Sequence, residues 1–190
     1  SSKQILKNIP KKILKSKKIK FFELNFNWKN TKIIETLKKK KIKADLIINA
    51  VGGTFGYRDY SFKIEDWITC LELNFFKHIM INNLFLKDMI KKNFGRILFF
   101  SSFVVDDPQA SIMYSCSKAL LENYVKKSAI IFGKNNILIN AIKTSVIAAK
   151  NNNWYKATIQ KKDFVDKKMK DLIAVERIGT VDDLKYFIND

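Results

Sequence analysis

Apolar positions along this chain fall into short unbroken runs separated by longer segments with helical spacing. Ala44 to Asn49 (ADLIIN), Arg96 to Ser101 (RILFFS) and Ile137 to Ile142 have the length and bulk of buried parallel strands. Lys20 to Phe26 reads as a further strand and Thr31 to Lys41 as a short helix, closed by Lys38 to Lys41 where cations suit the helix dipole. A long helix is predicted from about Ile64, with Glu65 and Asp66 in its first turn, to about Lys92, where Asn93-Phe94-Gly95 stops it. Tyr114 to Phe132 reads as another, ended by Gly133. Strands alternating with helices predict an α/β fold with a parallel sheet. Ligands of such sheets bind outside the carboxyl ends of the strands, where Asn49, Ser102 and Lys143 fall.

The two long helices are apolar on more than one side. Leu71, Phe75, Ile79 and Phe85 alternate with Leu73, Phe76, Met80 and Leu84, so these helices must be covered on both sides. With 190 residues, 47% of them hydrophobic, the chain is long enough for a single domain over residues 1–190 with a real core. No run approaches 18 apolar residues, and Ser1 to Lys12 lacks the apolar stretch of a signal peptide. Cys70 and Cys116 follow no metal spacing and make no disulfide framework, so a reducing cytoplasm is the expected setting and no metal is expected.

Net charge is +18, and residues 1–43 carry +13 of it, with 15 lysines against Glu23 and Glu35. A patch for nucleic acid or anionic lipid is one reading. Lysine is abundant throughout and no zinc-finger spacing or RNA-binding aromatic motif accompanies it, so a lysine-rich composition explains the charge better. Salt-sensitive RNA or DNA binding would be the mark of the other reading.

The chemistry concentrates in Tyr114-Ser115-Cys116-Ser117-Lys118, twelve residues after Ser102. Residues four apart on a helix share a face, so the Tyr114 hydroxyl and the Lys118 ammonium can enter one space. A cation within roughly 4–6 Å lowers a tyrosine pKa by about 1–3 units. Tyrosine, lysine and a nearby serine thus form a proton-transfer group for an alcohol or carbonyl.

Six segments in order resemble the short-chain dehydrogenase/reductase family, a Rossmann-type group of NAD(P)-dependent oxidoreductases. Asp45-Leu-Ile-Ile-Asn49-Ala50-Val51-Gly52 is similar to the family's DxLVNNAG, with Ala50 and Val51 replacing Asn and Ala. Trp67 and Asn74 stand at the offsets of its EEW segment and helix asparagine, and Gly95 to Ser102 resembles GRIVNISS. Tyr114 and Lys118 fall on YxxxK, Ile137 to Ile142 on IxVNAI, and Ile173 to Gly179 on the RxG segment. The resemblance implies a three-layer, doubly wound parallel sheet. Tyr114 is then the general acid/base, and Lys118 both assists it and binds the nicotinamide ribose. Ser102, which could swap roles with Ser101, holds the substrate oxygen, and the Asn74 main chain holds a relay water. The backbone of Asn49, Ala50, Val51 and Gly52 lines the adenosine side of an NADP or NAD cofactor. Lys3 near the adenosine 2′ position tilts the choice to NADP. The implied substrate is a small alcohol or carbonyl, and the helix pair implies a homodimer or homotetramer.

Departures accompany the match. The family's first strand and glycine-rich turn have no counterpart, and the chain stops after the RxG segment, so a fragment or a decayed version is expected. A sheet without that unit exposes apolar surface and unpaired backbone; weak folding and weak dinucleotide binding follow. Thr144-Ser145 replace Pro-Gly, Ala149 replaces a cofactor-contacting threonine, and Asn25 replaces an aspartate near the adenine. A non-catalytic scaffold or dimerisation module is therefore the alternative. His78, the only histidine, reads as structural, and Cys116 as packing. Tyr57, Tyr60 and Trp154 fall in loops that border either the substrate pocket or the core, and residues 150–170 occupy the family's variable substrate region.

Overall fold

The computed structural model describes residues 22–54, 56, 63–150 and 152–187. Lys3, Lys20, Phe21, Tyr57 and Tyr60 lie outside them. The chain divides into two compact units, one spanning Phe26–Ser145 and the other Val146–Asp190 with the residues before Phe26.

The larger unit runs α1 (Asn30–Lys39), β1 (Leu46–Asn49), α2 (Ile64–Leu71), a π-helical turn (Glu72–Phe76), α3 (Lys77–Lys92), β2 (Gly95–Ser102), a 3-10 turn (Phe103–Val105), α4 (Ile112–Gly133) and β3 (Ile137–Thr144). Its three strands are parallel in the order β1-β2-β3, with Ile47 opposite Ile97 and Ile97 opposite Ile139. Each parallel connection crosses over through a helix, as the alternating pattern requires. Phe75, Met89, Leu121 and Val125 of the helices bury Ile97, Phe99, Ile137 and Ile139 of the sheet. On the other face Leu46, Ile48 and Leu138 are exposed.

The predicted stop of α3 has a local cause. Asn93 takes the left-handed conformation at φ +51°, which asparagine tolerates better than most side chains, and closes the helix end through Asn93 N to Ile90 O. The strand expected over Lys20 to Phe26 is not formed in its described part, Phe22–Phe26. The Phe26 carbonyl accepts from the Lys77 ammonium instead of a strand neighbour, and the chain turns there.

In the smaller unit, β4 (Ile147–Ala148) pairs in parallel with β5 (Gly179–Thr180), and α5 (Asn153–Gln160) and α6 (Lys162–Leu172) lie between them in sequence. Trp154, expected in a loop, is in the first turn of α5, because Asn152 caps that helix by accepting from Tyr155 N at 2.7 Å. A 3-10 turn (Asp182–Phe187) follows β5, and Asp183 holds Arg177 and Thr180 together. No helix among the described residues is long and apolar enough to cross a membrane.

Candidate active site

The π-helical turn is the element that builds this site. A π turn adds one residue to a helical turn and puts neighbouring carbonyls out of register, a device common at functional sites. Asn74 sits in its middle, fully buried. Its Oδ1 accepts from Gly53 N at 2.9 Å, and its Nδ2 donates to Gly53 O at 3.0 Å and Cys70 O at 2.9 Å. The loop after β1 is thereby strapped to the helix. A Cβ on Gly52 would lie 2.9 Å from Asn74 Oδ1 and 3.3 Å from Lys118 Nζ, so only glycine allows this approach. Ala50, Val51 and Gly52 are exposed at the carboxyl end of β1. Asn49 is buried, and its Nδ2 donates to Leu98 O at 3.3 Å.

Lys118 projects from α4 with 4% exposure and donates to Phe100 O at 2.7 Å. β1 ends opposite Phe99, so side chains take over as partners for carbonyls along this part of β2. Burial lowers the Lys118 pKa to about 8, against a smaller opposing pull from Cys70. Its Nζ lies 5.6 Å from the centre of the Tyr114 ring.

Ser102 ends β2, and its hydroxyl lies near enough to the Tyr114 hydroxyl to pull that group's pKa down. Successive strand residues point to opposite faces, so Ser101 turns away and donates to Glu122 Oε1 at 2.6 Å. Glu122 Oε2 lies 3.3 Å from Lys143 Nζ, which also bonds Asp106 at 2.8 Å. Of the two serines, Ser102 is the one beside the tyrosine.

The expected lowering of the Tyr114 pKa is not what the protein's own groups produce. Burial raises it, the Ser102 hydroxyl opposes that, and Cys70 raises it further. The Lys118 ammonium is engaged by the Phe100 carbonyl, and burial outweighs a cation placed over the ring rather than at the hydroxyl. Tyr114 is thus held protonated at neutral pH.

Two participants carry no motif signal. Cys70 is fully buried under the site, its Sγ 3.4 Å from Asn74 Nδ2, and burial raises its pKa. His78 is 3% exposed, with Nδ1 3.3 Å from Asn49 Oδ1. The offsets of four from Asn74, back to Cys70 and on to His78, were the only hint in the sequence. Cys116, by contrast, is exposed. Among the described residues no cluster of three or more His, Cys, Asp or Glu could hold a metal.

The family model described as short chain dehydrogenase matches residues 1–160. The 7alpha-hydroxysteroid dehydrogenase of Escherichia coli (strain K12) is 26% identical over 143 residues, covering 75% of this chain and 54% of its own length. The 3-oxoacyl-[acyl-carrier-protein] reductase FabG of Buchnera aphidicola subsp. Schizaphis graminum is 27% identical over 161 residues, covering 80% and 62%. The chain therefore spans little more than half the length of such relatives. Among solved structures, ElxO with NADP bound aligns with a TM-score of 0.72 at 22% identity, over 89% of this chain and 68% of that one. A 3-oxoacyl-[acyl-carrier protein] reductase from Brucella melitensis with bound NAD aligns at 0.67 and 16% identity, over 80% and 56%. These structures share the fold, a Rossmann-type parallel sheet, and with most of its length matched by the family model the chain belongs to the short chain dehydrogenases.

Proposed function

We propose that the protein is an NAD(P)-dependent oxidoreductase that interconverts an alcohol and a carbonyl. The observation that carries this reading is the convergence of the Tyr114 hydroxyl, Ser102 and the buried Lys118 ammonium at the carboxyl edge of the sheet. The fit to a dinucleotide rests on the exposed backbone of Ala50, Val51 and Gly52 at the carboxyl end of β1, which packs closely beside Lys118. Asn49, Ala50, Val51 and Gly52 would line the adenosine side with their backbone, and Tyr114 and Lys118 would meet the nicotinamide ribose. The dinucleotide, when bound, supplies or accepts the hydride.

The chain's own residues handle the proton. In the reductive direction Tyr114, protonated at neutral pH, gives its hydroxyl proton to the carbonyl oxygen while Ser102 hydrogen-bonds that oxygen. Lys118, charged below about pH 8, stabilises the tyrosinate left behind and can return a proton to it. Asn74 keeps the Gly53 loop and the helix in register around this group and would hold a relay water with its main chain. In the oxidative direction the steps reverse.

NADP and NAD both occur among the structural relatives, in ElxO and in the Brucella reductase. Comparing NADPH with NADH in Lys3→Ala tests which is preferred. The substrate is a small alcohol or carbonyl, the partner a second copy of this chain, and the setting cytoplasmic.

Tyr114→Phe tests the reading. Carbonyl reduction should fall about a hundredfold or more while dinucleotide affinity stays. Unchanged turnover would remove Tyr114 from the mechanism, and a wild-type chain that binds dinucleotide without turning over would establish the scaffold instead.

A further inference from the structure

Immediately after the π turn, two consecutive residues of α3 point into the protein and end on different loops. Lys77 is 7% exposed, and its ammonium donates to the carbonyls of Phe26 and, at 3.0 Å, Trp28. Glu72 Oε2 is 4.0 Å away. Taking an ammonium out of water costs several kcal/mol unless hydrogen bonds replace its hydration. Here the replacement is two carbonyls of one irregular turn, so the turn and the buried cation hold each other. The turn also borders an open cleft of about 460 Å³ lined by Ile68, Thr69 and Glu72, where packing gives it little support.

His78 ties the second loop. Asn49 Nδ2 is given to Leu98 O, which leaves Asn49 Oδ1 to accept from the imidazole Nδ1–H at 3.3 Å. The backbone of Val51 and of Leu73 also lies close to the ring. Phe26 joins the two ties, since its carbonyl is on Lys77 and its ring lies 5.5 Å from the His78 ring. The turn at 26–28 and the loop at 49–51 are therefore fixed to one turn of α3 at the β1 side of the carboxyl edge.

We propose that Lys77 and His78 are positioning residues for the dinucleotide, shaping the wall of its site on the β1 side through the 26–28 turn and the Asn49–Val51 loop. This rests on the oxidoreductase reading. A dinucleotide reacting at Tyr114 would reach beyond that residue along the carboxyl edge, where Val51 and Gly52 stand exposed next to the loop that His78 ties. Neither side chain reaches the reacting atoms, so their effect falls on cofactor binding and not on the proton transfer.

The test uses the full chain, with NADPH and NADH titrated to millimolar concentration by fluorescence and the steady-state kinetics measured alongside. Lys77→Met and His78→Leu should weaken dinucleotide binding about tenfold or more and raise its KM in step, with kcat nearly unchanged. His78→Asn places an N–H where Nδ1 stands and should recover most of the affinity. Should His78→Leu fail to fold, His78→Gln, whose amide falls at the Nε2 position, carries the same expected loss. Binding within twofold of wild type in the folded variants overturns the proposal. So does a fall in kcat that matches the loss of binding, or a His78→Asn protein as impaired as His78→Leu. Absence of dinucleotide binding in the wild type overturns the oxidoreductase reading and this inference with it; loss of neither in the variants overturns this inference alone.

Discussion

Gly52 shows how much of this site depends on one missing carbon. With Asn74 Oδ1 2.9 Å and Lys118 Nζ 3.3 Å from where a Cβ would be, an alanine there must push the loop, the amide or the ammonium aside. Local strain of this kind costs about 1–3 kcal/mol, and each 1.36 kcal/mol at the transition state is about tenfold in rate. Gly52→Ala should therefore lower kcat/KM for carbonyl reduction by about five- to a hundredfold while the protein remains folded by circular dichroism; an unchanged kcat/KM would show that the loop relaxes freely. The same environment accounts for the pKa values. Burial acts on Tyr114 and Lys118 in opposite directions, raising the phenol and lowering the ammonium, because in each case it disfavours the charged form. The YxxxK spacing in the sequence showed that the two groups share a face. It could not show that the ammonium would be claimed by the Phe100 carbonyl.

At the level of elements, α2, the π turn and α3 read in sequence as one helix from Ile64 to Lys92, and its ends fall where predicted. The π turn inside it was not legible, because it follows from tertiary demands: Asn74 bridging to Gly53, and Lys77 and His78 reaching separate loops. Apolar residues around the whole helix were legible, and the structure divides them. Phe75 and Met89 are buried in the core, while Ile64, Ile68 and Phe76 remain exposed, as do Ile112 and Leu120 on α4. Exposed apolar positions on two adjacent helices suit association of two copies. Sedimentation should find the wild-type chain as a dimer or tetramer, and Ile68→Asp or Leu120→Asp should shift it toward monomer. A wild-type monomer at micromolar concentration would count against this.

For the whole molecule, His78 links the site to acid stability. Burial, together with the nearby Lys118 charge, lowers its pKa from 6.5 to about 4. Above pH 6.5 the imidazole is neutral in both the folded and the unfolded chain and has no effect. Between pH 6.5 and about 4 only the unfolded chain takes up the proton, so folding loses about 1.4 kcal/mol per pH unit, roughly 3 kcal/mol in all. Below about pH 4 the folded form is protonated too and the loss stops growing. Denaturant titrations at pH 7 and pH 4.5 should show a smaller drop for His78→Asn than for wild type, by about 2 kcal/mol; equal drops would mean His78 titrates normally in the folded protein.

Local pattern was enough for the α/β class, the alternation of strand and helix, the family, and the shared helix face of Tyr114 and Lys118. Each is written locally, in hydrophobic period, in turn residues or in fixed short spacing. Which serine faces Tyr114 follows from packing, since alternation along β2 sends Ser101 to Glu122. Packing also decided that Phe22–Phe26 is not strand, that Cys70 lies beneath the site, and that Lys77 and His78 hold the two loops. These depend on partners 4 to 51 positions away in the chain, brought together by burial of the helix faces against the sheet. Hydrophobic period tells which side of an element is covered but not which polar atom waits there.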